Sequence, residues 1–393
     1  MMQNFTYNIP TEIYFGKGSI ANLPSAVRKF GGSKVLLLYG GGSIRRIGLL
    51  DETIALLTKA GIAYSLLGGV EPNPRIATVR EGIRICREEG CDMLLPVGGG
   101  STLDCAKAIA AGTPYEGDAW DIVLDNAKID SIDVLPIITI LTMAATGSEM
   151  DGYAVISNPE TKQKLGMGHL KLYPKASVLD PVYTYSLPKR QTAAGIADIL
   201  SHIFEVYFNH IPGTVIQDRV MEALIQVLVE CGPKACKEPE NYDARANLMW
   251  TSSWAINGFI ACGKSAPWPV HSMEHQLSAV YDVTHGEGLA VLTPVWMEKT
   301  LNERTVDLFV SYGVGVFGLD PTKEKYEIAR QAIQKTSEFL FETLGMPKTL
   351  RELGITSKDA FEAMADKALE DGTEECFTPL SKSDVLAIYE ASY

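Results

Sequence analysis

Two stretches of this chain carry side chains able to hold a metal ion. In Asp198-Ile-Leu-Ser-His202 a separation of four residues sets a carboxylate and an imidazole on one helix face, about one turn apart. The flanking residues, Gly195-Ile196-Ala197 before and Ile203-Phe204 after, are mostly apolar. An ionised carboxylate there is costly unless a cation or hydrogen bonds compensate it. Coordination of a divalent ion by Asp oxygen and His nitrogen does this; a hydrogen-bonded Asp–His pair inside a helix bundle would also do so. The second stretch, His271-Ser-Met-Glu-His275, repeats the one-face spacing, and His285 follows beside Gly286-Glu287-Gly288, in what reads as a loop between two helical patterns. Half of the 6 histidines in the chain therefore lie between positions 271 and 285. Two of these imidazoles with Asp198 and His202 would make an O/N3 set suited to Fe2+ or Zn2+. Spacing alone leaves open which two. His169 and His210 have no such company and read as ordinary surface or structural histidines.

A different chemistry is suggested earlier in the chain. Gly98-Gly99-Gly100-Ser101 sits between a buried apolar run and a helical stretch. Glycines there let the backbone approach a pyrophosphate, and the helix N-terminus offers N–H donors. Asp104 and Lys107 follow within two turns. The pattern is not G-x-G-x-x-G, and a tight turn without a ligand is the plain alternative. Thr139, Thr142 and Thr146-Gly147-Ser148-Glu149 gather hydroxyls at the end of another apolar run. They suit the ribose or amide of a dinucleotide, or simply a helix cap.

These residues need elements to position them. Apolar runs at 34–39, 62–67, 92–97 and 134–140 alternate with helical patterns at 49–60, 74–89 and 102–111, the signature of a parallel sheet covered on both faces. Gly61 and Gly90 stand as helix C-caps. From about Pro188 helical periodicity takes over, at 190–209, 215–229, 242–262, 270–281, 326–344 and 359–370. The expected fold is an N-terminal α/β domain and an all-α C-terminal domain, with the functional cleft expected between them.

Composition narrows the class without naming the chemistry. The 393 residues are long enough for two domains, and 46% hydrophobic with 21% charged is ordinary globular usage. A net charge of −13 disfavours nucleic acid. No run approaches the ~18 apolar residues of a membrane helix, and the first 15 residues carry no signal-peptide pattern. The 7 cysteines form no C-x-x-C pair, as in a reduced, cytoplasmic protein.

Together, Gly195-Ile196-Ala197-Asp198 with His202, His271-Ser-Met-Glu-His275 with His285-Gly286-Glu287-Gly288, Gly98-Gly99-Gly100-Ser101 with Asp104 and Lys107, Thr146-Gly147-Ser148-Glu149 and Leu179-Asp180-Pro181 resemble the iron-containing alcohol dehydrogenases. The resemblance spans essentially the whole chain and is strongest to the branch of butanol dehydrogenases and broad-specificity aldehyde reductases. It implies a fold similar to dehydroquinate synthase, with a nicotinamide-dinucleotide-binding α/β domain over 1–187 and a helical metal-binding domain over 188–393. It also implies one divalent metal, Fe2+ or Zn2+, on Asp198, His202, His271 and His285, with His275 beside the nicotinamide as a catalytic residue rather than a ligand. Gly40, Gly41, Gly42, Ser43, Gly98, Gly99, Gly100, Ser101, Asp104, Thr139, Thr142 and Lys164 are the expected cofactor-binding positions.

One departure bears on the cofactor. Many family members carry an Asp just after the first strand, on the adenosine ribose. Here Gly40-Gly41-Gly42-Ser43 stands there, followed by Arg45 and Arg46, which makes room for a 2′-phosphate and favours NADP(H) over NAD(H). Ala266, Pro267, Trp268 and Val270 before His271 would give substrate an apolar lining, suited to small alkyl alcohols and aldehydes. A cytoplasmic homodimer is expected. The rivals are a lyase of the dehydroquinate synthase type, which would need basic residues near the metal, and a non-catalytic nucleotide-binding module.

Overall fold

The computed structural model describes residues 1–370 and 376–393. Among the described residues eight strands are formed: β1 (Glu12–Phe15), β2 (Lys34–Tyr39), β3 (Ala63–Gly68), β4 (Met93–Gly98), β5 (Ile138–Leu141), β6 (Tyr153–Asn158), β7 (Gln163–Gly168) and β8 (Ala176–Leu179). Six of them make one all-parallel sheet in the order β1-β8-β5-β4-β2-β3, while β6 and β7 pair as an antiparallel hairpin. The helices between them are α1 (Leu23–Lys29), α2 (Ser43–Arg46), α3 (Leu49–Lys59), α4 (Ile76–Glu89), α5 (Gly100–Gly112) and α6 (Ala119–Leu124).

The strand sequences explain the layering. Alternate residues point to opposite faces, and both faces are apolar. Val35, Leu37, Met93, Leu95 and Val97 join the core under α1 and α3, whereas Leu36, Leu38 and Leu94 join that under α4, α5 and α6. α4 stops where expected, at Gly90, whose φ of 68° an L side chain rarely adopts. The strand order reverses between β2 and β4, which puts the carboxyl ends of these two neighbours at a topological switch point, where open α/β sheets bind ligands.

After Leu187 the chain is helical: α7 (Lys189–Tyr207), α8 (Val215–Lys237), α9 (Tyr242–Ile256), α10 (Pro269–Tyr281), α11 (His285–Thr300), α12 (Val306–Phe317), α13 (Lys325–Ser337), α14 (Phe361–Glu370) and α15 (Lys382–Ala391). Every residue of α7 from Thr192 to Tyr207 is buried, so its polar members must find partners inside the unit. His285, read from the sequence as a loop residue, is instead the first residue of α11. A Cβ at Gly286 would collide with the Ala194 carbonyl oxygen. Glycine at this position therefore serves close packing of α11 on α7, not a loop.

The chain divides into two compact units, one of Asn8–Leu187 with Pro239–Ser253, the other of Met1–Tyr7, Pro188–Glu238 and Trp254–Tyr393. Reading the chain in order assigns 1–7 and 239–253 the other way round. Ser252 and Ser253 explain one crossing, since their hydroxyls bond Ala145 O (3.1 Å) and Glu149 Oε1 (2.5 Å) in the sheet unit. The other is explained by Gln3 N donating to Gly263 O and by the Tyr7 ring packing edge-on against Phe259. Among the described residues all cysteines are buried and none is disulfide-bonded, and no helix is long and apolar enough to cross a membrane.

Candidate metal centre and coenzyme-binding turns

On α7, Asp198, His202 and Glu205 occupy one stripe; on α10, His271, Glu274 and His275 do the same. Three imidazole Nε2 atoms converge on Asp198 Oδ1, at 3.8 Å from His202, 4.0 Å from His271 and 3.7 Å from His285. These separations are too long for hydrogen bonds. Two ligands of one ion at about 2.1 Å stand roughly 3–3.5 Å apart, so a shared ion needs only a small contraction. Glu274, His275 and His285 also bring ligand-type atoms within 4.8 Å of one another. That grouping is explained by a hydrogen bond, because Glu274 accepts from Nδ1 of His285.

Burial sets the charge states. His202 is held well below its ordinary pKa by burial first and then by neighbouring imidazoles, so it is neutral, as a metal ligand must be. Burial also acts to lower His271, but Glu205, accepting from its Nδ1, outweighs this and raises it. Among the described residues His271 Nε2 and His202 Nδ1 are buried without a hydrogen-bond partner. A buried nitrogen beside a carboxylate, with its other ring nitrogen already bonded, fits a divalent ion. Trp268 walls this group: its ring packs edge-on at 5.8 Å from His202 and 5.3 Å from His271, and its φ is 54°. A bulky residue at positive φ stores strain that is common at functional sites.

Sequence reasoning missed Glu205 and Glu274. The available signal was the other one-face helical spacing, three residues instead of the four between Asp198 and His202: Glu205 stands three residues after His202, and Glu274 three after His271. His275 lies close by but apart from the converging set, with ring centroids 6.1 Å from His271 and 5.5 Å from His285. His169 caps a short turn and bonds Asp130, and His210 is exposed.

In the sheet unit, Gly40-Gly41-Gly42-Ser43 follows β2 and Gly98-Gly99-Gly100-Ser101 joins β4 to α5 at the switch point. A Cβ at Gly98 would collide with Thr102, and one at Gly100 with Thr146, so packing already demands these two glycines. Gly99 has no side chain to cap α5; its carbonyl takes the N–H groups of Thr102 (3.0 Å) and Leu103 (3.3 Å), so the N–H groups suited to an acceptor from outside the helix are those of Gly100 and Ser101. Ser101 Oγ donates to Pro72 O, and Thr142 N to Gly98 O at 2.9 Å. Three of the expected cofactor residues are buried and have partners within the sheet unit. Thr139 lies inside the sheet, fully buried, its hydroxyl 2.8 Å from Ser177 Oγ. Asp104 accepts from Ser148 Oγ (2.7 Å) and Val155 N (3.0 Å). Lys164 lies buried on β7, paired with Ser157.

Asp104 is joined by Lys107, Asp151 and Glu149 in a buried network. Lys107 Nζ donates to Ser148, Asp151 and the Tyr153 carbonyl. Burial pushes the Glu149 carboxyl up to about 7, against the Ser253 hydrogen bond that lowers it. The neutral form that the fold favours contributes fully below the ordinary value of 4.5, and this stability is lost as pH rises through about 7. Glu149→Gln, which cannot ionise, is expected to raise Tm over the parent more at pH 8 than at pH 5, by up to about 3 kcal/mol in stability. Equal shifts at both pH values would contradict this.

Comparison with known proteins gives the family. Residues 10–181 match the model of the iron-containing alcohol dehydrogenases, and residues 192–393 that of the C-terminal region of the same family. The chain belongs to the iron-containing alcohol dehydrogenase family. It is 53% identical to NADH-dependent butanol dehydrogenase A of Clostridium acetobutylicum, covering 100% of both chains. It is 38% identical to the NADPH-dependent aldehyde reductase YqhD of Escherichia coli, covering 94% of each. The crystal structure of NADH-dependent butanol dehydrogenase A from Thermotoga maritima superposes with a TM-score of 0.94 at 36% identity, covering 100% of this chain and 99% of that one. The expected architecture, an α/β unit followed by a helical one, is the family's. The chain is an oxidoreductase, and its family uses a divalent metal and a nicotinamide coenzyme.

Proposed function

We propose that this chain interconverts small alkyl alcohols and aldehydes of the butanol and butyraldehyde type, with direct hydride transfer between NAD(P)(H) and the carbonyl carbon. The observation that carries the reading is the convergence of three Nε2 atoms on Asp198 Oδ1 in a chain of this family. Asp198, His202, His271 and His285 would hold one Fe2+ or Zn2+ ion, which when bound acts as a Lewis acid on the substrate oxygen. His202 serves as a neutral ligand, and Glu205 and Glu274 hold the Nδ1 sides of His271 and His285. In reduction the carbonyl carbon gains a hydride and its oxygen a proton; His275, one turn beyond His271 on α10, would pass that proton. Trp268 and its apolar neighbours favour alkyl chains over polyols.

The groups packed around the four ligands, Glu205 and Glu274, are acidic, which opposes the anionic substrate a dehydroquinate-synthase-type lyase would take. A nucleotide-binding module without turnover has no use for the ligand set. Incubating the purified chain with butyraldehyde and NADPH or NADH tests the reading. Cofactor oxidation that stops on chelation and returns with Fe2+ or Zn2+ supports it; oxidation indifferent to metal, or none at all, overturns it.

For the coenzyme we propose NADP(H) ahead of NAD(H), from the absence of a carboxylate in Gly40-Gly41-Gly42-Ser43. Arg45 is already stacked on Tyr39 at 5.1 Å and bonds its hydroxyl, leaving Ser43 and Arg46 to meet a 2′-phosphate. The names of the relatives at 53% and 52% identity say NADH, so NAD(H) is the competing outcome. A Cβ at Gly41 meets nothing within 4 Å, so Gly41→Asp should fold normally. It is expected to shift kcat/KM toward NADH by a Coulomb repulsion of about 1–4 kcal/mol. A parent already preferring NADH tenfold contradicts the proposal. A cytoplasmic homodimer remains part of the reading, and light scattering tests the dimer.

A further inference from the structure

The three helices that supply the ligand set each place a buried carboxylate against the next. Glu205 of α7 accepts from Nδ1 of His271 and from the backbone N–H groups of Val270 and His271, the latter at 3.1 Å, at the first turn of α10. Glu274 of α10 accepts from Nδ1 of His285, the first residue of α11, and takes the Ser278 hydroxyl on its other oxygen at 2.5 Å. Glu287 of α11 accepts from Arg190 in the first turn of α7, with Nη2 to Oε2 at 2.7 Å. None of the three carboxylates is more than 1% exposed. The backbone makes room for one of them: a Cβ at Gly288 would lie 2.8 Å from Glu274 Cγ.

We propose that Glu205, Glu274 and Glu287 are positioning residues that form a closed ring, α7 to α10 to α11 and back to α7. The ring fixes the Nε2 faces of His271 and His285 before a metal ion arrives. It rests on the four-ligand reading above. A carboxylate that accepts from Nδ1–H fixes the imidazole tautomer, leaves the lone pair on Nε2 and makes the ring a stronger ligand. The two histidines held this way are those that α7 does not carry. His202, on the same helix as Asp198, is positioned by its own backbone, and among the described residues its Nδ1 has no hydrogen-bond partner. Three buried carboxylates are costly unless each is paired, and each here is paired across a helix–helix contact. Glu287 acts at the far side of the ring, through Arg190, without touching a ligand.

The test measures Co2+ affinity of the full-length apoprotein by chelator competition, and the visible ligand-field spectrum of the Co2+ form. Glu274→Ala is expected to weaken Co2+ binding 10- to 100-fold and to change the spectrum. Glu274→Gln, whose amide oxygen still accepts from Nδ1–H, should restore most of the affinity. Glu287→Gln should weaken binding less and keep the parental spectrum. Should the alanine variant fail to fold, Glu274→Asp, one methylene too short to reach His285, is read in its place. Affinity within twofold of the parent and an unchanged spectrum in a folded Glu274→Ala overturn the ring while leaving the ligand set standing. A parent that takes up no Co2+ overturns both.

Discussion

Alanine at His202 is expected to give a folded protein that retains no stoichiometric metal and turns over no aldehyde. His202 Nε2 is one of three imidazole nitrogens drawn up to Asp198 Oδ1, and its ring is buried and neutral. Losing one of four ligands removes a bond that no neighbour replaces. Changing a group that only orients a ligand already costs 10- to 100-fold in affinity, so direct loss of a ligand should cost more. Asp198→Ala should be at least as severe, because it removes the anionic member of the set. The helix is expected to survive both changes: α7 is buried from Thr192 to Tyr207, and truncating one side chain costs at most a few kcal/mol. Metal analysis and steady-state turnover on both variants check this. Stoichiometric metal with normal activity in either would end the ligand assignment.

His285→Ala and His275→Ala are expected to part company. Helical spacing pairs His271 with His275, whereas the family resemblance pairs His271 with His285. The geometry that supports the second pairing is specific: His285 Nε2 stands 3.7 Å from Asp198 Oδ1 and its Nδ1 is bonded to Glu274. His285→Ala should lose metal and activity together. His275→Ala should keep near-stoichiometric metal and lose kcat, by ~10²-fold if it passes the proton. Metal content measured on the two variants side by side checks this. An empty His275→Ala beside a full His285→Ala would reverse the assignment.

Much of this site was legible because its elements obey simple periods. β2, β4 and their turns could be placed from apolar runs ending in glycine, and Asp198 with His202 from a four-residue spacing in an apolar helix. What escaped depended on tertiary contact. α11 opens with two glycines in three residues, which reads as a loop until the collision at Gly286 with Ala194 is known. α12 was missed because valines and glycines give VDLFVSYGVGVF a poor helix propensity. Packing decides it: Cβ atoms at Gly313 and Gly315 would press on Ala332 and Glu222. β1 and β8 are four residues each, too short for a pattern, and are fixed by pairing with each other across the sheet.

The central claim is that one metal ion sits on Asp198, His202, His271 and His285. Anomalous scattering at the absorption edge of the bound metal, in crystals of the metal-loaded chain, tests it most directly. The account predicts a single peak bonded by Asp198 and the three Nε2 atoms, with His275 outside the coordination shell. A peak bonded by His275 or Glu274 in place of His285, or no peak in protein that turns over aldehyde, would contradict it.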